Sequence, residues 1–396
     1  MISEKMVPLM QNNSAIRMMF EEGKKMAAVY GPENVYDFSL GNPSVPAPAA
    51  VKEAVYGILE EEDSLYVHGY MSNAGYEDVR AGIAGSLNKR FGTNFHMGNV
   101  LMTVGAASGL NVILKTLLNP GDQVLTFAPY FVEYGSYVRN YEGVLTVVSP
   151  NTVDFQPNLT EFEEKITDRT KAVIINTPNN PTGVIYSEET LTKISEILTK
   201  KGNEFGTSIA LISDEPYREL AYDGAVVPFV TKFYKNTVIC YSYSKSLSLP
   251  GERIGYLVIP DEMEESGRVF QAAVIANRVL GCVNAPSLMQ RVILRCLDAE
   301  VDVAAYDRNR TLLYESLTGY GFECIKPAGA FYLFMKSPVE DEKEFCEEAK
   351  KHRVLVVPGS SFACPGYVRI AYCVSFGQIE RSLPAFKEIA KHYHLI

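Results

Sequence analysis

The stretch Tyr241-Ser242-Tyr243-Ser244-Lys245-Ser246-Leu247-Ser248-Leu249-Pro250-Gly251-Glu252-Arg253-Ile254-Gly255 sets one amine among hydroxyls. It continues from Thr237-Val238-Ile239-Cys240-Tyr241, an apolar, β-prone run that reads as a buried strand. Lys245 therefore stands where a buried strand ends, beside serines and with no carboxylate next to it in sequence. Loss of water lowers the pKa of an amine, and the neutral amine attacks carbonyl carbon. Eight residues on, Arg253 lies between Gly251 and Gly255. Hydroxyls with a guanidinium suit a phosphate. Together these groups suit an aldehyde cofactor that carries phosphate. Taken alone, the stretch also fits a loop with one solvated lysine.

The elements that must position Lys245 recur along the chain. Residues 100–104 read as a strand, Gly105-Ala106-Ala107-Ser108-Gly109 as a small-residue turn and 110–118 as a helix. A strand, a small-residue turn and a helix N-terminus offer free N–H groups to an anion, although tight turns use the same residues for packing. Neither a dinucleotide fingerprint nor a P-loop is present there. Residues 124–127 form the next strand, followed by the aromatics Tyr130, Phe131 and Tyr134, which suit either a core or a flat ring to stack on. Strands at 144–148 and 171–175 follow, with helices at 159–166 and 188–198. The second of these strands runs into Asn176-Thr177-Pro178-Asn179-Asn180-Pro181-Thr182-Gly183. A strand at 208–213 ends at Asp214-Glu215-Pro216-Tyr217. Strands alternating with helices predict a mostly parallel sheet covered on both faces. Ligands bind such sheets at the carboxyl ends of the strands. Gly105, Phe131, Asn180, Asp214 and Lys245 all fall at such ends.

Outside this alternation the chain changes character. Residues 1 to 36 carry short amphipathic patterns. Phe38-Ser39-Leu40-Gly41-Asn42-Pro43-Ser44-Val45-Pro46-Ala47-Pro48 is an extended segment, either a linker or a strap across a cleft. Residues 51–59 and 76–91 have helical spacing. Between them Tyr66 to Gly75 reads as an exposed loop whose aromatics pack a turn, reach a site or cross an interface. A long helical pattern runs from 287 through 317. Strands at 331–335, 354–357 and 367–372 and a charged helix at 340–351 then suggest a smaller α+β domain, with Arg369 inside an otherwise apolar run. The fold class is α/β, with a large domain over 47–290 and a small domain built from 1–46 and 291–396.

Bulk properties narrow the function classes. The chain has 396 residues and a net charge of −10, which disfavours nucleic acid and anionic membrane surfaces as partners. The first residues carry no apolar signal core, and no apolar run is long enough to span a bilayer. The 7 cysteines include no C-x-x-C pair, which argues against a zinc site or a disulfide framework and for a reducing, cytoplasmic setting.

Asn180-Pro181-Thr182-Gly183, Asp214-x-x-Tyr217, Ser242-x-Ser244-Lys245, Gly251-x-Arg253-x-Gly255 and the late Arg369 occur in that order. In combination the chain resembles, from about Ser39 to Arg369, the class I/II aminotransferases of fold type I, relatives of aspartate aminotransferase. The resemblance implies pyridoxal 5′-phosphate as the cofactor and a mostly parallel, seven-stranded sheet. Lys245 is similar to the lysine that holds the cofactor and shuttles a proton, and Asp214 to the acid that pairs with its ring nitrogen. Tyr217 and Asn180 resemble the partners of the ring oxygen, and Phe131 the aromatic stacked on the ring. Ser242, Ser244, Arg253 and the backbone at Gly105, Ala106 and Ala107 resemble the phosphate cup. Tyr70 resembles the tyrosine that reaches the cofactor of the partner subunit, which implies a homodimer. Arg369 resembles the clamp on the substrate α-carboxylate, and Gly41, like Asn180, a substrate contact.

The implied reaction moves an amino group from an L-amino acid to a 2-oxo acid by a ping-pong cycle, with aspartate and 2-oxoglutarate as the first expectation and aromatic or other neutral donors open. Two positions depart from aspartate-specific branches. One branch has a lysine in the phosphate turn for the distal carboxylate, where this chain has Ala107. Another has an arginine shortly before Asn-Pro-Pro; here Arg278 precedes Asn284-Ala285-Pro286, one residue out of register, and fits either that role or a solvated helix face. A lyase acting at Cβ on the same scaffold is the rival enzyme. A non-catalytic sensor is disfavoured, because no basic DNA-binding module precedes the first cleft motif.

Overall fold

The computed structural model describes residues 1–11 and 15–396. Its main sheet has seven strands in the order Val100–Thr103, Gly255–Val258, Thr237–Ser242, Ala210–Asp214, Thr170–Asn176, Gln123–Phe127 and Val144–Val148. Only Gly255–Val258 runs antiparallel to its neighbours. Val100–Thr103 pairs only with that antiparallel strand, and the other five strands are linked by parallel pairing, as strand–helix alternation predicts. The central strands are buried residue after residue, so they read as continuous apolar runs.

Alternate side chains of each strand go to opposite faces. Val238 and Cys240 join the core under the helices Gly105–Leu117 and Ser266–Val279. Ile239 and Tyr241 join the core on the other face, with the helices Glu77–Phe91, Glu188–Phe205 and Ser287–Arg295. A further core gathers Phe38, Tyr306, Phe331, Phe345, Ile370 and Phe386. It carries an antiparallel sheet ordered Val357–Pro358, Tyr367–Ala371 and Tyr332–Lys336. Tyr36–Asp37 pairs in parallel with Val354–Leu355, so the segment before the cleft is tied to residues late in the chain.

The structure corrects several sequence expectations. The helix expected from Leu110 starts at Gly105, so Gly105, Ala106 and Ala107 form its first turn. Gly105 has φ 75°, which explains a glycine at the abrupt strand-to-helix switch. Part of the loop expected around Tyr66 is a short helix, Ser64–His68, whose free amides are capped by Asp63. The long pattern from 287 is two helices, Ser287–Arg295 and Val303–Gly319, and Asp302 caps the second through the amide of Ala305. The expected strand 354–357 divides between the two smaller sheets.

Gly109 shows how closely the first helix rides on the sheet. A Cβ there would stand 2.8 Å from Cys240 Sγ. Gly109→Val should therefore lift the helix from the strand Thr237–Ser242 and lower stability by about 2 kcal/mol or more in urea unfolding. Gly85, on the exposed side of another helix, meets nothing within 4 Å. Gly85→Ala should leave the urea midpoint unchanged or raise it, by up to about 1 kcal/mol.

Candidate active site

At the carboxyl ends of the parallel strands lies a cleft of about 280 Å³. Gly41, Ala106, Ala107, Phe131, Asn180, Asp214, Tyr217, Ser242, Ser244, Lys245, Arg253 and Arg369 all line it. Residues more than 300 positions apart in sequence are thus brought to one space. Gly105 stands just behind the wall, where a Cβ would come 3.0 Å from Arg253 Nη2. Tyr70 lies outside the cleft of its own chain with 95% of its surface exposed, and Arg278 is likewise exposed and not among the lining residues. A larger cavity of about 480 Å³ lies behind Lys245 but has neither Lys245 nor Asp214 in its wall.

Lys245 sits just past the strand end, in the one-turn helix Tyr243–Ser246 capped by Ser242. Its Nζ donates to Gly41 O at 2.7 Å and lies 5.2 Å from the centre of the Phe331 ring. Burial, reinforced by the charges of Arg253 and Arg369, lowers its pKa to about 8, while Cys373 opposes that shift. A substantial neutral fraction near neutral pH is what a nucleophilic or proton-carrying amine needs.

Asp214 ends its strand fully enclosed. Tyr134 donates to its Oδ2 at 2.6 Å, whereas Oδ1 is buried with no hydrogen-bond partner among the described residues. Burial raises the Asp214 pKa to about 7; the Tyr134 bond opposes the rise and Glu215 adds to it. A cation or N–H donor at Oδ1 would restore the charged form. Asn176, the strand neighbour of Asp214, donates to its backbone oxygen at 2.8 Å and fixes the strand end.

Opposite lies an anion cup. The first turn of the helix Gly105–Leu117 has no side-chain cap on its amides. Ser242 Oγ and Ser244 Oγ are 2.7 Å apart. Arg253, held at φ 53° and exposed at the rim, donates from Nη1 to Pro250 O at 3.0 Å and retains further N–H groups.

Arg369 enters from the small antiparallel sheet and is 1% exposed. It donates to Asn180 Oδ1 at 3.0 Å and to Ser39 O, while its Nε has no partner among the described residues. Tyr217 OH meets Tyr332 OH at 2.9 Å. Sequence reasoning did not assign roles to Tyr134, Tyr137, Asn176 or Tyr332. Tyr134 had a signal, being three residues past Phe131 in the aromatic cluster after a strand. Asn176 stood at the head of the amide-rich loop, but Tyr332 looked like any strand aromatic.

The family model "Aminotransferase class I and II" matches residues 33–386. The chain belongs to that family.

An aspartate aminotransferase of Thermotoga maritima is 31% identical over 373 residues, covering 93% of this chain and 94% of that protein. A probable aspartate/prephenate aminotransferase of Aquifex aeolicus is 34% identical over 380 residues, covering 90% and 91%. The crystal structure of an amino transferase from Eubacterium rectale superposes with TM-score 0.97 at 50% identity and 99% coverage of both chains. The fold is that of fold type I aminotransferases, and the protein is an aminotransferase that uses pyridoxal 5′-phosphate.

The residues present fit that cofactor. Asp214 Oδ1 is an orphaned buried acceptor suited to a protonated ring nitrogen. The free helix turn with Ser242, Ser244 and Arg253 suits a phosphate, Lys245 an aldehyde, and Phe131 a ring face. When bound, the cofactor supplies an aldehyde for the substrate amine and a conjugated ring that takes up electrons from Cα. The chain would supply a Lys245 amine able to hold or release a proton, the Asp214 carboxylate to favour positive charge at the ring nitrogen, and an enclosure that excludes water.

Two predictions follow from these ionisations. Between about pH 8 and 10.5 the unfolded chain binds more protons at Lys245 than the folded chain. Lys245 thus opposes folding most below the lower value, and the penalty fades as pH rises. Lys245→Met in the cofactor-free protein should raise the urea midpoint at neutral pH, with the gain shrinking toward about pH 10. Tyr134→Phe should weaken pyridoxal 5′-phosphate binding roughly fivefold to tenfold in absorbance titrations, because the Asp214 carboxylate loses the donor to its Oδ2.

Proposed function

We infer that this aminotransferase moves the amino group of an L-amino acid to a 2-oxo acid, with L-aspartate and 2-oxoglutarate as the first pair. Arg369 carries this reading: a buried guanidinium at the cleft with an unpartnered Nε is suited to a substrate carboxylate. The curated relatives named for aspartate support the choice of donor. Lys245 moves the proton at Cα, Asp214 and Tyr217 hold the cofactor ring, and Asn180 and Gly41 orient the substrate. Aromatic or other neutral donors are the second reading. The cations in the lining are Lys245, Arg253 and Arg369, each assigned above, and the remaining wall includes Leu40, Leu110, Tyr137 and Tyr332. No further cation of this chain's lining is left for a side-chain carboxylate.

The working unit is a homodimer in which Tyr70 completes the neighbouring cleft. Its exposure, beside exposed Leu65 and Tyr66, supports a partner surface there. The large domain over 47–290 carries the cofactor, and 1–46 with 291–396 form the small domain. The 7 cysteines are all free, which supports a reducing, cytoplasmic setting.

The test is a donor panel with 2-oxoglutarate, reading kcat/KM for aspartate, phenylalanine and leucine. Aspartate in first place supports the first pair; a neutral or aromatic donor in first place selects the second reading. Arg369→Lys should raise KM for the donor roughly thirtyfold or more. Lys245→Ala should abolish turnover, and wild-type turnover in that variant would refute the assigned amine. Ammonia and pyruvate released from Cβ-substituted donors, without keto-acid exchange, would identify a lyase instead.

A further inference from the structure

Tyr332 lies on the strand Tyr332–Lys336, at the register position opposite Ala371. It is 2% exposed, and its hydroxyl is 2.9 Å from that of Tyr217. A Cβ on Gly41 would overlap the Tyr332 hydroxyl, so the strap across the cleft fits around it. The Arg369 guanidinium lies 4.5 Å from the centre of its ring. Among the described residues neither hydroxyl has another hydrogen-bond partner.

Each hydroxyl carries one proton. One of the pair's two protons lies between the oxygens, and the other is free. Tyr217 and Tyr332 both line the cleft; Tyr217 is the one read above as holding the cofactor ring, whose oxygen, once ionised, would only accept. Tyr217 must then donate outward, which requires Tyr332 to donate to Tyr217. We propose that Tyr332 is a positioning residue that directs the Tyr217 proton into the cleft and strengthens it as a donor. A hydroxyl that accepts one bond donates a stronger one.

The charged and titratable groups facing the pair are Arg369, Asp214 and Cys373. Arg369 favours the ionised form of both tyrosines, Asp214 disfavours that of Tyr217, and Cys373 disfavours that of Tyr332. Burial is the first cause of the raised pKa at both, so both stay protonated donors through the working range.

The inference rests on the cofactor reading of the site, and its test separates the two. The holoenzyme is titrated with pH, and the midpoint of the bound cofactor's visible absorbance is read. The ring oxygen bears most negative charge in the high-pH form, so a weaker donor moves the midpoint up. Tyr332→Phe should raise it by about half a unit. The stronger acid 3,5-difluorotyrosine, incorporated at position 332, should lower it. In a Tyr217→Phe background, Tyr332→Phe should add nothing, because the relay is already cut. Melting of the cofactor-free variants confirms that they fold. Equal upward shifts from Tyr332→Phe in both backgrounds would assign Tyr332 to packing alone and overturn the proposal. So would a Tyr332→Phe midpoint within about 0.1 unit of wild type. A wild-type protein that takes up no chromophore from pyridoxal 5′-phosphate would instead defeat the reading of the site itself.

Discussion

Withdrawal of water from ionisable groups is the constraint on which the site depends. Lys245, Asp214 and Arg369 each have burial as the leading cause of their shifted pKa; Asp214 and Lys245 lie at carboxyl ends of the main sheet, while Arg369 reaches the cleft from the middle of the strand Tyr367–Ala371. A parallel sheet covered on both faces is dry along its strands, so groups at its carboxyl ends sit at the border between core and solvent. There a side chain can be desolvated and still be reached by a ligand. The directions are opposite and complementary. The amine is pushed toward neutrality, and the acid is left short of a cation that would make its charge favourable.

Rigidity at this border comes from segments that work on two sides. Ser242, Ser244 and Lys245 face the cleft, while Tyr241, Tyr243 and Ser246 line the larger cavity behind. Asp214 and Tyr217 likewise face forward, whereas Glu215 and Arg218 form a buried ion pair at the back. Arg218 Nε donates to Glu215 Oε2 at 2.5 Å, and its guanidinium lies 4.7 Å from the Tyr241 ring and 5.1 Å from that of Phe229. Such a pair gains little net stability from burial, since desolvation offsets attraction. Its geometry does fix the turn that aims Asp214 and Tyr217 forward, and the Tyr241 ring couples that turn to the strand before Lys245.

The parts of the site legible in the sequence are those announced by a change of composition along one strand. A run such as 237–241 passing into serines and a lysine marks a strand end, and the same change marks Asp214 and the Asn176–Asn180 loop. Contacts between separate strand ends leave no such trace. Tyr134 and Asp214 are 80 residues apart, Tyr217 and Tyr332 are 115, and Asn180 and Arg369 are 189. Each is a pairing across the sheet or between the two cores, and an aromatic at one end reads as ordinary packing. Helix boundaries failed for a related reason. Gly105 begins its helix because a positive φ and the nearby Arg253 suit glycine, a tertiary fact that a local pattern does not carry.

The strap from Phe38 to Pro48 shows how a segment with little side-chain chemistry serves the site. Its carbonyls meet cations and donors on both sides of the cleft. Ser39 O accepts from Arg369, Leu40 O is near Cys373 Sγ at 3.7 Å, and Gly41 O accepts from Lys245. Prolines and a glycine keep this stretch extended, which leaves its carbonyls free of helical bonds. Neutral carbonyls satisfy a buried amine or guanidinium well enough to keep it ordered, yet they bind more weakly than a carboxylate. A carboxylate could therefore displace Ser39 O from Arg369 with a gain, so that guanidinium is held in place without being bound too tightly to act. A side-chain carboxylate in the strap would form a full ion pair with Lys245 and raise its pKa, undoing the shift toward the neutral amine that burial produces.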